Sequence, residues 1–193
     1  MILKNLLQSP KLISIFRKFK NREIFDILVY GSIVRGKQRV NDIDIAVILR
    51  KKIPLDNKLK MAASLRNKLR FLNIELDVKV IDFADLQDIA FVARESIISE
   101  GYSILNKSFL HKLFGFNAYV IFYYKLDNLS PSKKKMFYYV LKGRRGEKGI
   151  LEEKGTQVGN CILKIKLQHS EEFKEILEYH NIEYSTEKIL TYS

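Results

Sequence analysis

Two aspartates stand two positions apart in Asn41-Asp42-Ile43-Asp44-Ile45, shortly after Tyr30-Gly31-Ser32-Ile33-Val34-Arg35-Gly36. In a strand this spacing puts both carboxylates on one face and turns Ile43 and Ile45 to the other. Like charges so close repel unless a cation neutralises them, and clustered carboxylate oxygens suit a hard divalent ion such as magnesium. A Gly-Ser turn lets backbone N–H groups approach a phosphate closely, because glycine carries no Cβ. Arg35, Lys37 and Arg39 add positive charge beside that turn. Together these parts suit phosphoryl-group chemistry, in which the protein positions the reactants and a metal stabilises developing charge. On residue types alone, a surface hairpin with two solvated carboxylates stays open as the bland alternative.

The elements around this segment follow from periodicity. A basic amphipathic helix is expected over 10–22, with Leu12, Ile15, Phe16 and Phe19 on one side. Short β-branched runs, 27–30 and 43–49, read as strands. A helix is expected over 55–72, with Met61, Leu65, Leu69 and Leu72 as its stripe. Residues 74–81 alternate, with Leu76, Val78 and Val80 opposite Glu75, Asp77 and Lys79. One helical stretch then runs from Phe83 to about Ser99. The order predicts an α/β (α+β) domain, a mixed sheet flanked by helices.

With the order strand, Gly-Ser, second glycine, Asp-x-Asp, strand, helix and carboxylated strand in place, the segment resembles the polymerase-β nucleotidyltransferase superfamily. The likeness is strongest to its minimal nucleotidyltransferase branch, and it covers about residues 20–105. That resemblance implies transfer of a nucleoside monophosphate from an NTP to a hydroxyl acceptor, with release of pyrophosphate. It implies two metal ions, Mg2+ with Mn2+ as a substitute, held by three carboxylates. Asp42 and Asp44 match the paired ligands, and Asp77 matches the third, the group that activates or orients the attacking hydroxyl. Glu75 shares the face of Asp77 and is the second choice. Gly31 and Ser32 match the turn that binds the NTP phosphates, with Arg35, Lys37 and Arg39 beside it. The sequence departs from the family where Asn41 replaces the usual serine before the first aspartate, and where the 37–39 loop is basic. Arg94-Glu95 followed by Gly101-Tyr102 also resembles the end of the minimal domain.

After Gly101 the texture changes, and a boundary is expected at 108/109, giving a nucleotidyltransferase domain over 1–108 and a small basic α+β domain over 109–193. Ser130-Pro131 opens a helix and Gly143 closes it. A strand over 161–167, a helix capped by Ser170 with Phe173, Ile176, Leu177 and His180 in its stripe, and a last strand over 187–191 follow. Lys133, Lys134 and Lys135, then Phe137, Tyr138 and Tyr139, then Arg144 and Arg145 interleave cations with aromatics, a pattern that contacts phosphates and stacks on bases. The bland alternative is a buried stripe, Phe137 with Leu141 or Met136 with Val140, behind a solvated lysine face. Tyr119, Phe122, Tyr123 and Tyr124 read as core or interface.

Composition bounds the rest. The chain has 193 residues, 34 Lys and Arg against 22 Asp and Glu, and a net charge of +12, a surface that attracts polyanions. The longest uncharged apolar run, 118–124, falls far short of the roughly 20 residues of a membrane span. One cysteine, Cys161, excludes an intramolecular disulfide and a structural zinc cluster. With no secretory signal apparent, a cytoplasmic enzyme using an NTP, ATP foremost, is the expectation. A nucleic acid or toxin-like protein is the expected partner. The alternative is a nucleic-acid-binding or antitoxin-type module that keeps the fold.

Overall fold

The computed structural model describes residues 9–37 and 41–192 and divides the chain after Gly115 into two compact units. In the first unit, helix α1 (Pro10–Phe19) starts where the Ser9 hydroxyl accepts from the Leu12 amide and Pro10 sets the first turn. Strands β1 (Ile24–Tyr30), β2 (Asp42–Leu49), β3 (Glu75–Asp82), β4 (Tyr102–Ser103) and β5 (Ser108–Phe109) form one sheet in the order β3-β2-β1-β4-β5. Only β2 and β3 are parallel, and helix α2 (Leu55–Leu69) connects them. The mixed sheet flanked by helices is therefore the fold of this unit.

The two sheet faces differ. Ile27, Val29, Ile43, Ile45, Val47, Val78 and Val80 pack with Leu12 and Phe16 of α1 and Leu65 and Leu69 of α2. On the other face Leu28, Tyr30, Ala46, Ile48 and Ile81 pack with Ile97 and Leu110. That second cluster covers the Leu49 end of β2, so the Asp42 end of the same face carries polar residues.

The expected single helix over 83–99 is two, α3 (Phe83–Gln87) and α4 (Arg94–Glu100). Asp88 stops the first, its carboxylate accepting from the Ala90 amide at 2.9 Å and offering the backbone an alternative to the helix. Asp82 starts α3 with a reciprocal capping box and also accepts from Lys58 Nζ at 2.9 Å. Burial alone would raise its pKa, but Lys58 and the neighbouring amides outweigh burial and hold the carboxyl below its usual range. A lowered pKa means stability that is present above the unfolded value of 3.8 and lost as the pH falls through the folded one. Asp82→Asn keeps the cap and loses the charge, while Lys58 keeps Asp85 at 2.6 Å. We expect a loss of about 2 kcal/mol at pH 7 that shrinks on acidification, read from urea melts at several pH values. A pH-independent difference would remove the ion pair as its cause.

The second unit runs β6 (Phe116–Tyr124), α5 (Pro131–Lys142), a hairpin β7 (Gly143–Arg144) and β8 (Glu147–Lys148), α6 (Ile150–Lys154), β9 (Gly155–Gly159), β10 (Ile162–Lys166), α7 (Ser170–Tyr179) and β11 (Tyr184–Tyr192). Apart from the hairpin and α6, the order is β-α-β-β-α-β. The antiparallel sheet order, β11-β6-β10-β9, is that of the split βαβ arrangement. Phe137 and Leu141 of α5 and Phe173 and Leu177 of α7 pack on Phe122, Leu163 and Ile165, all fully buried. Three local expectations differ from the structure. Ser170 is the first residue of α7 and donates its hydroxyl to the Leu167 carbonyl at 2.8 Å, so it is no side-chain cap. Cys161 lies at φ 57° in the turn ahead of β10, and the last strand starts at Tyr184.

Candidate active site

Sheet register gathers the acidic residues. Asp44 on β2 lies opposite Tyr30 on β1 and Asp77 on β3, and Asp42 lies opposite Glu75. Asp42 and Glu75 are exposed, while Asp44 and Asp77 are half-buried. The expected trio therefore stands on adjacent strands of one face, with Glu75 at its edge.

Gly31 follows β1 at φ +82°, and a Cβ there would overlap the Asp44 carboxylate. Glycine is needed twice over, for the left-handed backbone and for the room Asp44 takes. From Ser32 to Gly36 the chain makes a helical turn, with Val34 N–H donating to Gly31 O at 3.1 Å and Lys37 N–H to Ser32 O at 3.1 Å. The first amides of such a turn, those of Ser32 and Ile33, precede any intrahelical acceptor, the property that suits a turn to an anion.

The cations near this turn sit differently from one another. Arg35 Nη1 lies 2.7 Å from Oε2 of Glu100, which is fully buried in α4. Its guanidinium thus ties the Gly-Ser turn to that helix. Lys37 is exposed, and Arg39 lies outside the described residues.

Electrostatics mark Asp44 as the strained member. Burial, then the charges of Asp42 and Asp77, push its pKa up to about 6, with Lys79 pulling the other way and Glu100 adding to the rise. Lys79 forms an ion pair with Asp77 across two residues of β3. The Tyr30 hydroxyl is buried and finds no hydrogen-bond partner among the described residues. Burial and the Asp44, Asp77 and Glu100 charges raise its pKa as well.

This donor set fits a hard divalent cation in its chemistry: carboxylate oxygens only, one of them desolvated, with an orphaned hydroxyl alongside. As they stand, no three His, Cys, Asp or Glu side chains among the described residues are gathered tightly enough to hold an ion. Asp77 is turned to Lys79, and Lys79 supplies locally part of the positive charge that a cation would bring.

Three residues here escaped the sequence reading. Lys79 was legible as sharing the face of Asp77 through period two. Tyr30 was legible as the last residue before Gly31. Glu100 had only the Glu100-Gly101 pair to mark it, and its contact with Arg35 spans 65 positions. Gly101 itself is confined, since a Cβ would overlap the Ile97 carbonyl and crowd Leu28.

In the second unit, Lys133 and Lys135 are exposed and Lys134 is half-buried on α5. The structure brings Lys135 and Arg144 together over the Tyr139 ring, at 6.0 and 4.7 Å from its centroid. Arg145 is exposed at φ 52° in the hairpin turn. Phe137 and Leu141 form the buried stripe behind them.

The family described as "Polymerase beta, Nucleotidyltransferase" matches residues 10–109. The search of curated proteins gave no match. Among solved structures, a toxin–antitoxin crystal structure with AMP-PNP aligns at 23% identity over 50% of this chain and 72% of that chain, with a TM-score of 0.36. The tri-AMPylated HEPN toxin of Shewanella oneidensis in complex with MNT antitoxin aligns at 21% identity over 49% of this chain and 66% of that chain, with a TM-score of 0.32. No helix among the described residues is long and apolar enough to cross a membrane.

Proposed function

Because the chain belongs to the polymerase beta nucleotidyltransferase family, we propose that it moves a nucleoside monophosphate from an NTP, ATP foremost, to a hydroxyl on nucleic acid or protein, releasing pyrophosphate. The observation that carries the reading is Asp44, half-buried beside Asp42 of its own strand and Asp77 of the neighbouring one and packed against the Gly31 turn.

The residues divide the work. The Ser32–Gly36 turn receives the triphosphate through its leading amides, with Lys37 and Arg39 as outer cations. Arg35 acts from behind, holding the turn to α4 through Glu100. Asp42, Asp44 and Asp77 would hold divalent cations, Mg2+ first and Mn2+ as substitute, two being the family expectation. Such ions, when bound, neutralise charge on the phosphates and acidify the acceptor hydroxyl. Asp77 would accept the acceptor hydroxyl's proton or orient that hydroxyl, once Lys79 releases it. The freed Lys79 ammonium then offers a positive charge to the same face. The second unit, with Lys133, Lys134, Lys135, Arg144 and Arg145, is the proposed acceptor-side module of a cytoplasmic enzyme.

The test uses ATP labelled at either the α- or the γ-phosphate, Mg2+, the full chain, and total RNA or total soluble protein as acceptor. The expected result is acid-precipitable α-label, no γ-label, and loss of the α-label with EDTA. Incorporation of γ-label at the same rate would make the reaction a phosphorylation and overturn the reading. The Lys79–Asp77 pair favours a second reading, a nucleic-acid-binding or antitoxin-type partner module on the same fold. ATP binding with no α-label transfer to either acceptor would decide for it.

A further inference from the structure

The sheet of the second unit has one face covered by α5 and α7, through Phe122, Leu163 and Ile165. Register assigns the other face. Its rows are Ser185-Tyr123-Ile162, Glu187-Ile121-Lys164 and Ile189-Tyr119-Lys166, read across β11, β6 and β10. The two central strands thus present Tyr119 and Tyr123 beside Lys164 and Lys166, with Tyr123 41% exposed. Lys164 Nζ lies 4.2 Å above the Tyr119 ring, where a base would slide in and send the ammonium to the neighbouring phosphate. Beyond Tyr123 this face runs into a cavity of about 420 Å3 whose lining includes Tyr123, Ile162, Ser185, Lys125 and Asn160. It has room for a nucleobase, Asn160 offers an amide to a base edge, Lys125 offers a cation to a phosphate, and Glu183 on the same lining offers an acceptor to a base amino group.

From this juxtaposition we propose that the helix-free face of the second unit binds a single strand of nucleic acid, stacking bases on Tyr123 and Tyr119 with Lys164 on the backbone. Aromatics on a middle strand of an antiparallel sheet, here both on β6, can stack unpaired bases whose faces a duplex keeps covered. The acidic member of the face, Glu187, accepts from the Tyr123 hydroxyl at 3.2 Å and holds that ring. The surface is distinct from the lysines of α5, and it concerns binding alone.

The chain contains no tryptophan, so Tyr123→Trp creates a single reporter. A mixed-sequence DNA dodecamer, single-stranded, is titrated into full-length Tyr123→Trp protein with no NTP present. Saturable quenching of the tryptophan is expected, and the same duplex should bind at least several-fold more weakly. By fluorescence anisotropy with a labelled dodecamer, Tyr123→Ala should weaken binding roughly tenfold, the loss of about one stacked base, while Tyr123→Phe, which keeps the ring and loses only its tether to Glu187, should weaken it far less. Lys164→Gln should lower the slope of log affinity against log salt by about 1. Binding without quenching, duplex binding as tight as single-strand binding, or unchanged affinity in a folded Tyr123→Ala protein would each overturn the proposal. Because no NTP is present, these outcomes are separate from those of the label-transfer assay.

Discussion

Asp44→Asn is expected to lower label transfer about a thousandfold and, in the same protein, to raise stability. The first effect follows from removing a ligand for the charge-stabilising ion, worth several kcal/mol in the transition state. The second follows from the raised pKa of about 6 against 3.8 for the free group. The native state binds that proton more tightly than the unfolded chain does. Stability therefore falls as pH rises from about 4 to 6, and the folded protein carries the full cost above that. Asparagine removes the cost. Discounted for partial exposure, the gain at pH 7 is about 1–2 kcal/mol, seen as a rise of a few degrees in Tm. The parent should also gain Tm on adding Mg2+, and Asp44→Asn should gain little. An Asp44→Asn protein that transfers label normally would remove Asp44 from the chemistry. One that melts no higher would show that burial and the Asp42 and Asp77 charges do not strain it.

Arg35→Ala should damage the fold as much as truncating a core side chain. Glu100 has no exposed surface, and removing Arg35 takes a 2.7 Å ion pair from a buried carboxylate. Breaking such a pair on one side costs about 3–5 kcal/mol, more than most surface changes. Arg35→Ala combined with Glu100→Gln should recover part of the loss, because the buried charge goes with its partner. Lys37→Ala, at an exposed neighbouring position, should leave the urea midpoint where it is and raise KM for ATP. If Arg35→Ala melts like the parent, and its KM rises as that of Lys37→Ala does, Arg35 belongs to the phosphates and not to Glu100.

Much of the first unit was legible because its signals are local. Period two in 42–45 and 75–80 set which side chains share a face, and the structure keeps Asp42, Asp44, Asp77 and Lys79 on one side. The Gly31-Ser32 turn was legible because few residues other than glycine accept φ +82° there. The division of 83–99 into two helices was less so, since it turns on the Asp88 side chain competing with the backbone at one position.

What the sequence by itself determined is the inventory and its alternation: a Gly-Ser turn, three carboxylates on two strands, and a basic second half. The tertiary structure alone decided how those groups are spent. Arg35, which composition counts among cations for phosphate, is committed to Glu100, 65 positions away. Asp77 is held by Lys79, and Asp44 becomes the strained carboxylate because the fold partly buries it and sets the Asp42 and Asp77 charges beside it. In the second half, sheet order separated Tyr119 and Tyr123 from Phe122 and Tyr124, placing one pair outward and burying the rest in the core. The physical reason is common to all of these. Burial and Coulomb energy depend on distances across the fold, which residue spacing along the chain does not contain.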